Sequence, residues 1–196
     1  MKLIIRKLEE KHLPMVDAFS CMETQEMLDS YNAKMRRRIL KHSKEMEDFL
    51  KDEALEEQEK GLNTTHLFID LETDRIVGYV SLCNDSIGLE VEERENMGLT
   101  YTTVPALKIA RLAVACDYWG MGIGKSLIQF SAYMGKRIKE MSGVAFLTLD
   151  CYEHRVSFYE SVGFVKNMVQ PIVLPYDTPI SMRIGLETYL ERVGKE

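Results

Sequence analysis

The apolar positions of this chain change their spacing several times, and each change marks an element. In residues 2–8, Ile4 and Ile5 stand among charged neighbours, the mark of a short strand. From residue 9 to about 19 the pattern turns helical, with Pro14 in a first turn. Between Met15 and Lys60 there is neither glycine nor proline, and Met27, Tyr31, Met35, Ile39, Leu40, Met46, Phe49 and Leu50 recur at mostly helical intervals. This predicts one long helix, or two abutting ones, over about residues 23–60, with Gly61 as C-cap.

Two β-rich runs, residues 66–71 and 75–83, lie close enough to form an antiparallel hairpin across Glu72, Thr73 and Asp74. Residues 84–98 are polar and acidic and read as a loop. Residues 106–115 form a strand that starts at Pro105, with Leu107 and Ile109 on one face and Ala110, Leu112 and Val114 on the other. Residues 125–141 are helical, 144–150 a nearly continuous apolar strand, and 153–162 a second helix closed by Gly163. Residues 164–169 and 181–186 are final strands, separated by a loop holding Pro171, Pro175 and Pro179. The order is β-αα-ββ-β-α-β-α-β-β, a mixed α/β architecture in a single domain over residues 1–196.

Composition narrows the function. No apolar run is long enough to cross a membrane, and the first residues lack the pattern of a secretory signal, so a cytoplasmic protein is expected. Cys21, Cys83, Cys116 and Cys151 have no metal or redox spacing and read as free thiols, with no metal site. The net charge of −6 argues against nucleic-acid binding by the surface as a whole. It leaves room for a local patch. Lys34, Arg36, Arg37, Arg38, Lys41 and Lys44 form such a run with no acid among them, and residues 45–59 are strongly acidic. Pairs such as Lys41–Glu45 and Lys44–Asp48 stand one helical turn apart. The run reads either as a solvated helix face or as a receiver for an anionic substrate.

The most informative string is residues 112–128, where a buried strand enters three alternate glycines, Gly120, Gly122 and Gly124, and a helix follows. Alternate glycines let backbone amides close on a bulky anion. The following helix adds the positive end of its dipole and its unpaired amides, which makes a pyrophosphate site. A dinucleotide fingerprint needs a different glycine spacing, and its acidic ribose partner would be Glu140, at a helix end. A P-loop is closer, since Gly124-Lys125-Ser126 supplies its second half, but its first glycine falls on Trp119.

Leu112-Ala113-Val114 followed by Trp119-Gly120-Met121-Gly122-Ile123-Gly124 resembles the cofactor motif of the GNAT superfamily of N-acetyltransferases. Ser157-Phe158-Tyr159-Glu160-Ser161-Val162-Gly163-Phe164 is similar to that superfamily's second hallmark, a tyrosine followed by a glycine–aromatic pair. The resemblance covers nearly the whole chain and implies a mainly antiparallel central sheet flanked by helices, with acetyl-CoA as cosubstrate. It places the cofactor on Leu112, Ala113, Val114, Trp119, Gly120, Met121, Gly122, Ile123, Gly124, Lys125 and Ser126. It makes Tyr159 the general acid, with Val114 where neighbouring strands splay. Tyrosine, with an ordinary pKa of about 10, stays protonated at neutral pH and can donate to a thiolate whose conjugate acid lies at about 8.5. The chain departs from the motif at Trp119, where Gln or Arg is usual, and at Tyr152, where many relatives carry Asn.

The residues do not single out a general base. Glu90, Glu92, Glu93 and Glu95 precede the cofactor strand and are equally explained as a solvated acidic loop, and a helix start explains Asp150 and His154. The resemblance implies direct transfer to a primary amine of a small molecule or peptide. Residues 104–114 are also similar to the corresponding strand of toxin-type acetyltransferases that act on aminoacyl-tRNA, which ranks second because those relatives are usually basic. A non-catalytic acyl-CoA sensor is the third reading. A homodimer is compatible with all three.

Overall fold

The computed structural model describes residues 1–170 and 179–194. Its sheet has seven strands in the order β1-β2-β3-β4-β5-β7-β6, where β1 is Leu3–Lys7, β2 Thr64–Asp70, β3 Arg75–Gly88, β4 Thr103–Val114, β5 Phe146–Cys151, β6 Val165–Lys166 and β7 Ile180–Gly185. β4 and β5 run parallel, while β1–β2, β2–β3, β5–β7 and β6–β7 are antiparallel. The expected mixed, mainly antiparallel sheet with flanking helices is present. The chain divides into two compact units, Met1–Leu82 with Arg111–Leu127, and Cys83–Ala110 with Ile128–Glu196.

In the first unit the helical segment is more broken than its periodicity predicts. A short helix α1, Leu13–Asp17, is followed by a single turn α2, Gln25–Leu28, and α3 begins only at Ala33 and runs to Asp48. The break is chemical. Asn32 caps α3, its side chain accepting from the Met35 amide at 3.0 Å, a local bond that competes with continued helix. Glu47 accepts from the Ser20 hydroxyl at 2.6 Å and the Cys21 amide at 2.8 Å, holding the preceding loop on α3. At Phe49–Glu53 the helix widens by one residue per turn before α4, Ala54–Glu59. There the Tyr79 hydroxyl donates to the Met46 carbonyl at 2.7 Å, drawing that carbonyl towards β3. Gly61 follows α4 with φ 72°, the C-cap expected of it.

The second unit departs from expectation where polar residues hide regular structure. Residues 84–98 are not a loop. β3 runs on to Gly88, and a helix α5, Val91–Asn96, follows. The strand continues because Ile87 and Leu89 join Val104, Ala106 and Phe146 in one buried apolar cluster. Pro105 lies inside β4 rather than at its start, its carbonyl accepting from Ala145 at 2.9 Å. α6, Ile123–Lys139, and α7, Val156–Ser161, stand where periodicity puts them. The strand predicted over 164–169 shrinks to two residues, since beyond it the Gln170 side chain, not the backbone, accepts from the Ser181 amide at 2.9 Å. A helix α8, Leu186–Val193, was not expected. Pro171 and Pro175 of the predicted loop lie outside the described residues, and Pro179 lies within them.

Candidate functional site

The glycine turn belongs to the first unit. Leu112, Ala113 and Val114 end β4, a short helical turn Cys116–Tyr118 follows, and the chain passes Trp119 and the glycines into α6. Gly78 lets β3 come close to the end of β4, since a Cβ there would stand 2.9 Å from the Ala113 carbonyl. Gly120 and Gly122 have φ of 78° and 81°, a left-handed conformation that strains any other residue. The Trp119 indole N–H donates to the Val114 carbonyl at 3.0 Å, tying the head of the turn back to the strand. On the other side, Tyr118 is buried, and its hydroxyl is 3.3 Å from the Thr73 hydroxyl.

This conformation leaves backbone donors facing outward. The amides of Gly120, Gly122, Ile123, Gly124 and Lys125 have no acceptor among the described residues, while Ser126 already donates to the Gly122 carbonyl at 3.1 Å. Gly120, Met121, Gly122 and Lys125 are exposed, and Ile123 anchors the turn in the core. Lys125 puts a cation in the first turn of α6, where no acid stands. That end of a helix repels cations, and an anion bound between the lysine and the amides would relieve it. A diphosphate fits this set of donors.

Tyr159 belongs to the second unit, on α7. It is buried, with its ring edge-on to Phe158 and Phe164 at 5.1 and 5.8 Å. Burial holds its phenol well above the ordinary tyrosine range, with the Cys151 thiol adding to the effect and Arg155 opposing it. The hydroxyl therefore stays protonated throughout the neutral range. Cys151 is itself pushed up to about 11 by burial and the Asp150 carboxylate, so it is inert as a nucleophile at neutral pH. Tyr152, the departure from the motif, stacks on the His154 ring at 6.1 Å.

Glu93 is taken by the scaffold. It is buried, one carboxylate oxygen accepts from the Glu90 amide at 2.9 Å, and the other pairs with Arg183. Arg183 also donates to Asn167 at 2.8 Å and lies over the Phe146 ring. Glu90, Glu92 and Glu95 remain exposed around α5. Of the basic run, Arg36 pairs with Asp29, Lys41 with Glu45 and Lys44 with Asp48.

The sequence reading passed over a polar row in the second unit. Lys108 on β4 pairs with Asp150 on β5 at 2.6 Å, and the Thr148 hydroxyl donates to Asp85 on β3 at 2.8 Å. The available signal was alternation, since Thr148 and Asp150 are the polar positions of an otherwise apolar strand.

A family model described as an acetyltransferase (GNAT) domain matches residues 63–166, more than half of the chain. Solved structures extend the likeness across its whole length. A bacterial toxin superposes with a TM-score of 0.72 at 15% identity, covering 100% of this chain and 97% of its own. AtaT complexed with acetyl-methionyl-tRNAfMet gives 0.71 at 16% identity, covering 98% and 99%. AtaTR bound with acetyl-CoA gives 0.66 at 16% identity, covering 97% and 98%.

Proposed function

The chain belongs to the GNAT acetyltransferases, and on that footing we propose that it acetylates the α-amino group of an aminoacyl-tRNA, with Tyr159 as general acid. It is an acetyl-CoA-dependent acyltransferase. When bound, acetyl-CoA supplies an acetyl group activated as a thioester. The amides of residues 120 and 122–125 with Lys125 hold the diphosphate, and the backbone of Leu112, Ala113 and Val114 lines the arm that leads to the thioester. The amine nitrogen attacks the thioester carbon and the carbon–sulfur bond breaks. Tyr159, kept protonated by its burial, gives its proton to the departing thiolate, and the proton the nitrogen sheds restores the phenol.

The observation that carries the acceptor is the two-way coverage of the likeness. The GNAT domain model matches residues 63–166, while the superposition on AtaT in its acetyl-methionyl-tRNAfMet complex takes in 98% of this chain, helical segment included. Exposed Lys34 and Arg37, one turn apart on α3, supply cations for a phosphate backbone. The net charge of −6 favours the second reading, a small or peptide amine. The four free thiols and the absence of any membrane-crossing helix among the described residues suit a cytoplasmic enzyme.

The test is free-thiol release from acetyl-CoA in the presence of methionyl-tRNAfMet or of small amines. Release with the charged tRNA that weakens steeply as salt rises supports the proposal. Release with small amines alone supports the second reading, and acetyl-CoA binding with no release from any amine would make the chain a sensor.

A further inference from the structure

The row at Lys108 lies where β4 and β5 part. Their parallel register runs from Ala106–Phe146 through Lys108–Thr148 and ends at Ile109–Leu149, although β5 continues to Cys151. Asp150 is the first residue of β5 past that register, and Lys108, one residue before the register ends on β4, clasps it. Alternation puts Ala106 and Lys108 on one face of β4, and Phe146, Thr148 and Asp150 on one face of β5. On β3, Asp85 and Ile87 share a face in the same way, and Leu89 follows just past the strand's end. Each strand thus passes from the apolar cluster of Ile87, Leu89, Val104, Ala106 and Phe146 to the polar row.

Such a row is poor scaffolding. The Lys108 and Asp150 side chains are each 29% exposed, and a partly desolvated ion pair contributes little net stability compared with apolar side chains of the same volume. Two carboxylates stand with one ammonium, so the row's formal charge is −1. Burial alone would pull Lys108 down, but the hydrogen bond it donates to Asp150 and the charges of Asp150 and Asp85 outweigh it and keep the lysine protonated. Asp85 is held from two sides, by Thr148 and by the Ser86 amide at 2.8 Å. The same strand end carries Cys151 on its other face, beside Tyr159, so an amine received at Asp150 and a proton delivered by Tyr159 would come from opposite faces of β5.

We propose that the row Asp85, Lys108, Thr148 and Asp150 is the acceptor subsite, its two carboxylates receiving the acceptor's ammonium group in competition with Lys108. The inference rests on the transferase reading above and names the side chains that would select a primary amine. An α-amino group titrates near neutral pH, so part of it arrives as the cation.

Steady-state kinetics on the full chain with methionyl-tRNAfMet and with methionine ethyl ester tests it by sign. Asp150→Asn and Asp85→Asn should each raise the acceptor KM roughly tenfold, the loss of one charge-assisted contact. Lys108→Met, which removes the competitor, should lower it severalfold. The melting shift given by acetyl-CoA should be the same in all four proteins. A structural ion pair would make Asp150→Asn and Lys108→Met move together, and that result, an unchanged acceptor KM, or a lost acetyl-CoA shift in the variants would overturn the subsite. If only the charged tRNA shows the effect, the tRNA body is needed to place the amine at the row; if both do, the row reads the α-amino ester itself. Wild-type protein that transfers to neither acceptor would sink the acceptor assignment itself, and the subsite with it.

Discussion

The glycine turn and the segment around Tyr159 manage charge with different atoms. At residues 120–125 the donors are mainly backbone amides, and apart from the Lys125 cation the side chains matter for allowing the fold of the chain. At Tyr159 one phenolic oxygen carries the proposed chemistry, and its environment of Phe158, Phe164 and Cys151 sets when it holds its proton. A site made of backbone tolerates an unusual residue such as Trp119 as long as φ and ψ survive. A site made of one side-chain atom tolerates no loss of that atom. Substitutions in the turn should therefore act on donor affinity, and substitutions at Tyr159 on the chemical step.

The largest effect is expected at the tyrosine. Tyr159→Phe should lower kcat by about 10²–10⁴ and leave the acetyl-CoA melting shift intact, as fits a general acid. A fall of less than about tenfold would remove Tyr159 from the proton transfer. The pH profile adds a sign. Burial raises the folded-state pKa of this phenol, so its share of stability is complete below about pH 10, the unfolded value, and is lost as pH rises towards the folded value. The wild type should therefore lose melting temperature above about pH 10 more steeply than Tyr159→Phe.

The turn should respond in the other parameter. Gly122→Val puts a β-branched residue at φ 81°, where strain of about 1–3 kcal/mol must be absorbed or the turn must move. No neighbour lies within 4 Å of the added Cβ, so the effect is conformational rather than a clash. Acetyl-CoA affinity should fall roughly 10- to 100-fold, at about 1.4 kcal/mol per tenfold, with kcat at saturation little changed. Calorimetric titration with CoA and saturation kinetics would separate the two. A drop in kcat at unchanged affinity would erase the contrast between turn and tyrosine.

How much of this was legible follows the same division. The turn could be read because its signal is local, with glycines two apart between a strand and a helix. Tyr159 could be picked out as a candidate because a second motif stood in order behind the first. The polar row could not, because Asp85 meets Thr148 across 63 residues and Lys108 meets Asp150 across 42, and only sheet register brings them together. Asp150 also sits where a helix start explains an acid. The helical segment misled for a related reason. Its widened turn depends on Tyr79, which is 33 residues from Met46 and on another element. The break at Asn32 had a visible cap, but the absence of glycine and proline outweighed it. In β3, Asn84, Asp85 and Ser86 read as loop because three polar residues follow one another there, Asn84 and Ser86 on the exposed face and Asp85 on the other.

Trp119 offers the smallest and most pointed test of the comparison. Its indole N–H donates a side-chain bond that closes the turn onto Val114, and the resemblance puts Gln or Arg, also long donors, at this position. Trp119→Phe keeps the ring and removes the donor. One neutral hydrogen bond is worth about 0.5–1.5 kcal/mol net, so acetyl-CoA affinity should fall roughly 2- to 10-fold with kcat unchanged. Trp119→Gln restores a donor of similar reach and should recover most of that loss. Recovery would show that the turn asks this position for an N–H and not for an aromatic surface. If Trp119→Phe binds acetyl-CoA as tightly as the wild type, the left-handed glycines alone hold the amides in place. The backbone character of the site would then be more complete than the Val114 bond suggests.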